Sequence, residues 1–150
     1  MKTTRVVLAD DHPIVRASIR RLLEKADDIE VVGEASNGME TIRMVEELTP
    51  DVLLLDVEMP GMKGFEVARR LQAAGAPVRI LALSAYDDKQ YILAMLASGA
   101  AGYLTKEEAP QTIIHAVREA VEGQADQENP THQEDAPGPD NPGGAEQPKV

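Results

Sequence analysis

The chain has no cysteine in its 150 residues, which excludes disulfides, thiolate metal sites and cysteine nucleophiles. Aromatic residues make up only 3%, none of them Trp, so a base-stacking platform for nucleic acid is poorly supplied. Positive charge is short too. Fifteen Lys and Arg face 26 Asp and Glu, a net of −11 that repels phosphate backbones and anionic membranes. Long apolar runs are missing: the opening "MKTTRVVLADDH" offers four apolar residues in a row, too few for a signal peptide. No stretch approaches the length of a membrane span. A cytoplasmic protein without membrane contact is the expectation.

The composition changes abruptly after Gly123. Residues 124–150, "QADQENPTHQEDAPGPDNPGGAEQPKV", hold five of the ten prolines and no Ile, Leu, Met or aromatic residue. Such a segment buries too little apolar surface to offset the entropy of ordering it. With six acids against Lys149 it reads as a disordered acidic tail or interdomain linker. Residues 1–123 are expected to form the one folded domain, a size that supports a proper core.

Within that domain two periods alternate. Apolar runs rich in Val, Ile and Leu lie at 5–9, 30–35, 51–56, 78–84 and 101–105, and their continuity suits strands covered on both faces. Helical stripes separate them. Val15, Ile19, Leu22 and Leu23 follow Pro13 at a first helical position, and Met39, Ile42 and Val45 follow Asn37, a cap with Glu40 three residues on. Phe65, Ala68 and Leu71 mark a third helix. Tyr91, Ile92, Met95 and Leu96 mark a fourth, with Asp87 or Asp88 at its start. Ile113, Val117, Ala120 and Val121 mark a fifth, with Pro110 near its beginning and Gly123 just past its end. Five strand–helix alternations imply right-handed crossovers and an α/β, doubly wound five-stranded parallel sheet with five helices. Met39, Met44 and Met95 fall at helical spacing and are expected in the core.

In such a sheet the functional crevice lies outside the carboxyl ends of the strands. The first strand ends in Asp10-Asp11, the third in Asp56, the fourth in Ser84 and the fifth at Thr105-Lys106. Two carboxylates ~5 Å apart repel by roughly 3 kcal/mol at an effective dielectric of 20. A hard divalent cation relieves that repulsion, and an oxygen-only site that keeps some waters suits Mg²⁺. Lys106 adds a point charge for a phosphoryl oxygen and Ser84 a hydrogen bond, a set able to stabilise phosphoryl transfer to a carboxylate. Each residue alone has a plain role: a helix cap for Asp10 and Asp11, a turn for Asp56, a snorkelling surface lysine for Lys106. Four strand ends bearing the right groups together are harder to explain that way. His12, His115 and His132 lie far apart without ligand spacing, which argues against a zinc site.

"LADDHPIVR", "LLLDVEMPGMKGFE", "ILALSAY" and "GAAGYLTK" together resemble the receiver domain of bacterial two-component response regulators, over residues 1–123. The resemblance implies the flavodoxin-like receiver fold, strand order 2-1-3-4-5. It places the phospho-accepting aspartate at Asp56 and a direct Mg²⁺ ligand at Asp11. Asp10 would act mainly through water, and the backbone carbonyl of Glu58 would be a further ligand. Ser84 matches the switch hydroxyl, Lys106 the invariant-type lysine and Tyr103 the aromatic switch position, although Tyr103 also fits a plain, partly buried strand aromatic. Glu58 and Tyr86 stand where they would modulate the lifetime of the phosphoryl group. Pro60, Gly61 and Gly64 shape the loop after Asp56.

In detail "DDHPIVR", "SAY" and "GYLTKE" resemble receivers of NarL/LuxR-type transcription factors. This implies a sensor histidine kinase as partner, homodimerisation on phosphorylation, and DNA contact only through a C-terminal helix-turn-helix domain missing from this chain. A stand-alone receiver working by protein–protein contact is the alternative. As an enzyme the nearest rival is a haloacid-dehalogenase-like phosphatase, which wants a second Asp where Glu58 stands and a cap segment. A flavin binder of the same fold needs a hydroxyl- and glycine-rich phosphate loop where "ADDHP" stands, and no G-x-G-x-x-G follows the first strand for a dinucleotide. The chain is therefore expected to be a phospho-accepting switch and not an enzyme acting on a metabolite.

Overall fold

The computed structural model describes residues 2–85, 89–108 and 110–126. Five strands alternate with five helices: β1 (Thr4–Ala9), α1 (Pro13–Glu24), β2 (Ile29–Ala35), α2 (Gly38–Leu48), β3 (Val52–Asp56), α3 (Gly64–Ala73), β4 (Arg79–Ser84), α4 (Lys89–Ala97), β5 (Gly102–Thr105) and α5 (Pro110–Asp126). All strand pairs are parallel, in the order β2-β1-β3-β4-β5. This is the expected doubly wound sheet.

The continuous apolar runs are explained by two cores, one on each face. Val6 and Leu8 of β1, Val52 and Leu54 of β3, and Leu81 and Leu83 of β4 pack with Ile19 and Leu23 of α1 and Ile113 and Val117 of α5. The alternate residues Val7, Ala9, Leu53, Leu55, Ile80 and Ala82 pack with Val45 of α2, Val67 and Leu71 of α3, and Met95 of α4. Period-two alternation thus divides each strand between two apolar layers. β3 is central and buried throughout, and each of its leucines stabilises the fold by roughly 1.5–3 kcal/mol on burial.

Local chemistry sets the helix ends. Pro13 occupies the first turn of α1, where its missing N–H costs nothing. Asn37 Oδ1 accepts the Glu40 N–H at 2.9 Å, while Glu40 Oε1 accepts the Ser36 N–H at 2.7 Å, so both sides of the α2 start are capped. α2 stops at Thr49, in the left-handed region at φ 45°, and Arg5 Nη1 donates to the Leu48 carbonyl at 2.7 Å.

Three expectations change. Met39 is 57% exposed, because Gly38, Thr41 and Val45 define the buried face of α2 and Met39 lies about 100° round from Gly38. Leu96 is likewise 39% exposed, one step round from the buried Met95. α5 continues through Gly123 to Asp126, since a glycine permits a left-handed helix end without imposing one. The helix therefore runs past Gly123, which was expected just beyond its end. Asp87 and Asp88, offered as caps of α4, lie outside the described residues, as does the remainder of the acidic segment. No described helix is long and apolar enough to cross a membrane.

Candidate functional site

β1, β3 and β4 lie side by side at the middle of the sheet, and their carboxyl ends deliver Asp10, Asp56 and Ser84 to one edge, all three buried. Lys106 follows β5, where its N–H donates to the Ser84 carbonyl at 2.8 Å. Its ammonium reaches inward, 3.0 Å from Asp10 Oδ2 and 3.0 Å from Asp56 Oδ2. The other oxygen of Asp56 accepts the Glu58 N–H at 3.1 Å, which fixes the carboxylate from two sides. Gly64 closes the loop behind it: a Cβ there would meet the Asp56 carbonyl oxygen at 2.8 Å and Val57 Cα at 2.9 Å.

The electrostatics follow from this crowding. Burial pushes the Asp56 carboxyl up to about 6; the Glu58 N–H and Lys106 oppose the rise and the Asp10 charge adds to it. Near neutrality Asp56 is therefore mostly ionised, yet raised in energy. Burial alone would lower the Lys106 pKa, but its contacts with Asp10 and Asp56 outweigh that and raise it.

The acids also satisfy the requirements of a cation site. Asp11 Oδ1 is buried and accepts no hydrogen bond, while the buried Asp10 Oδ2 has the Lys106 ammonium beside it at 3.0 Å. Donor atoms of Asp10, Asp11, His12 and Asp56 lie within 4.8 Å of one another. A cluster of three carboxylates served by one lysine, with the buried Asp11 Oδ1 left without a donor, fits a hard divalent ion.

Of the expected site residues, the structure brings Asp10, Asp11, Asp56 and Lys106 into one cluster and sets Ser84 beside them at the end of β4. Glu58 contributes its N–H, and its side chain is exposed. Tyr103 sits on β5 with 46% of its surface exposed, and Tyr86 lies outside the described residues. Two residues were not anticipated. His12 Nδ1 is 3.1 Å from Asp10 Oδ1 and 3.2 Å from Asp11 Oδ1. Arg16, one turn into α1, donates from Nη1 to the Asp10 carbonyl at 2.6 Å and from Nε to Glu34 at 2.9 Å, so it ties the Asp10 backbone to β2. Adjacency in "DDHPIVR" was the available signal for both.

The response regulator receiver domain, as a family profile, matches residues 6–118. The nitrate/nitrite response regulator protein NarL of Escherichia coli strain K12 is 40% identical over 119 residues, which are 79% of this chain and 55% of that protein. The response regulator UvrY of the same strain is 41% identical over the same shares. This chain thus spans about half the length of the curated relatives it matches. Among solved structures, the signal receiver domain of the putative response regulator NarL from Mycobacterium tuberculosis superposes with a TM-score of 0.79 at 37% identity, covering 82% of this chain and 99% of that one. A two-component response regulator of the LuxR family from Aurantimonas sp. gives 0.77 at 35% identity, covering 81% and 87%.

Proposed function

The chain belongs to the receiver-domain family of response regulators, and on that footing we propose that Asp56 accepts a phosphoryl group from the phosphohistidine of a sensor kinase. The observation that carries the proposal is the placing of Asp56: a buried carboxylate at the tip of the central strand, held by Lys106 and by the Glu58 N–H. An Asp56 oxygen attacks phosphorus, the P–N bond to the donor imidazole breaks, and its electron pair leaves with the ring nitrogen. The attacking group must be ionised, and a carboxyl near pKa 6 is largely so at neutral pH.

Lys106 swings from the carboxylates to a phosphoryl oxygen, and the Ser84 hydroxyl donates to another. Asp10, Asp11, Asp56 and the Glu58 carbonyl would hold Mg²⁺, which when bound neutralises the charge gathering on the phosphoryl oxygens. The donor set supports that cation, being oxygen-rich, buried and short of donors.

The added charge of the phosphoryl group, roughly −1.5 to −2, then favours a conformation in which Ser84 moves toward it and Tyr103 turns inward. The partial exposure of Tyr103 supports this, since inward travel remains open to it. The output lies in the rest of a longer regulator: a helix-turn-helix domain acting on DNA, with dimerisation on phosphorylation, in the cytoplasm. The acidic segment after α5 serves as the linker. The chain acts as a switch, and its chemistry is confined to its own phosphorylation and dephosphorylation. Glu58 and Tyr86 tune the lifetime of the phosphorylated state.

Intact mass after incubation with Mg²⁺ and a small phosphodonor tests the proposal. One phosphoryl adduct is expected, lost in Asp56→Ala and on removing Mg²⁺. An adduct that survives Asp56→Ala, or none after brief incubation and cold quenching, would overturn it.

A further inference from the structure

The histidine at the mouth of the acidic cluster has no part in the phosphoryl chemistry above, yet its ring faces the same space. We propose that His12 is a nitrogen ligand of the cation pocket, giving it affinity for imidazole-seeking divalent ions such as Ni²⁺, Co²⁺ and Zn²⁺ in addition to Mg²⁺. The inference rests on reading the pocket as a divalent-cation site.

Its basis is the spacing of donor atoms. Two ligands bound at ~2.1 Å and at right angles lie about 3.0 Å apart. His12 Nδ1 stands 3.1 Å from Asp10 Oδ1 and 3.2 Å from Asp11 Oδ1, close to the edge length of such a coordination polyhedron. Asp11 Oδ1 is buried and accepts no hydrogen bond. A single imidazole N–H is aimed poorly at two carboxylate oxygens at once, whereas one ion can take all three donors.

Position points the same way. His12 is the residue before the first turn of α1, and its side chain makes no capping hydrogen bond. Its own N–H donates to Asp10 Oδ1 at 2.9 Å, which locks the Asp10–His12 turn and holds the ring beside the acids. His12, His115 and His132 lack zinc-ligand spacing as a set, whereas here one histidine joins three carboxylates. Mg²⁺ prefers oxygen and gains little from an imidazole, while affinity for nitrogen rises toward Ni²⁺ and Cu²⁺ along the first row. His12 would therefore alter which ions compete for the pocket and leave Mg²⁺ binding nearly untouched.

Titration calorimetry with Mg²⁺ and with Ni²⁺ is the test, on the full chain and its His12→Ala, Asp11→Asn, double and His115→Ala variants. The side chain of His12 is 61% exposed, so its removal leaves the core intact. His12→Ala is expected to weaken Ni²⁺ at least tenfold and to change Mg²⁺ less than twofold. Asp11→Asn is expected to weaken both, with little further loss of Ni²⁺ in the double variant. Unchanged Ni²⁺ affinity in His12→Ala, or Ni²⁺ binding lost only in His115→Ala, would overturn the inference. If Asp11→Asn abolishes Mg²⁺ binding in that case, the pocket reading stands and this inference alone fails. If Asp11→Asn leaves Mg²⁺ binding unchanged, the pocket reading fails and the inference with it.

Discussion

Lys106 Nζ lies 3.0 Å from Asp56 Oδ2, a contact between residues fifty positions apart that joins the end of β5 to the end of β3. The same ammonium meets Asp10, so one charge offsets two buried carboxylates. Lys106→Met leaves both without that partner. We expect a loss of about 2–3 kcal/mol at pH 8 in urea melts, less than the full penalty of a broken buried pair because one acid can protonate. The loss should shrink at pH 5, where Asp56 takes up a proton more readily.

Asp56 itself weighs on stability. Its pKa is raised from 3.8 to about 6, chiefly by burial, so the folded protein holds that proton more tightly than the unfolded chain does. The stabilising protonated form is complete below pH 3.8, and its contribution disappears as pH rises through 6. Asp56→Asn removes the charge and should raise stability by about 1–3 kcal/mol at pH 8, with the gain fading below pH 4. Thermal melts without divalent ions at both pH values check it; a gain larger in acid would contradict the sign.

Gly64 is required by contact, since any Cβ presses on the backbone of Asp56 and Val57. Gly64→Ala should cost about 1–3 kcal/mol through overpacking and should also slow phosphorylation, because the displaced atoms carry the acceptor. Gly61→Ala is the informative control: its φ is +82° but its Cβ would meet nothing within 4 Å. Strain there should lower stability while the phosphorylation rate falls less than in Gly64→Ala.

Thr49 ends α2 at φ 45°, a region that β-branched residues avoid. Thr49→Gly should relieve that strain and raise stability by about 1 kcal/mol in urea melts. The hydroxyl donates only to the neighbouring Leu48 carbonyl at 2.8 Å, which Arg5 also serves, so little is lost in exchange.

What was legible beforehand follows the range of each interaction. The five strands were found within a residue at each end because two-sided burial makes the run itself the signal, as "VLLLD" of β3 shows. The strand-end acids and Lys106 were legible because a parallel sheet puts every carboxyl end on one edge. Met39 was misplaced because a three-residue apolar spacing fits two adjacent helix faces, and only the packing of Gly38 and Thr41 selects one. Arg16 holding Asp10 and Glu34 was invisible, because that link depends on where β2 lies beside α1.

The order of the strands has a mechanical consequence. β5 forms the outer border of the sheet, two places from β3 and three from β1. Neighbouring strands are about 4.8 Å apart, so spans of roughly 10 and 14 Å separate the Lys106 strand from the two it serves. The long lysine arm and the aspartate side chains that meet it share that distance, which a short side chain at 106 would leave unclosed. Besides its ladder with β4, the border is thereby tied to the two acids in the middle by one side chain. A change at Lys106 therefore bears on the border strand and on the two middle acids at once.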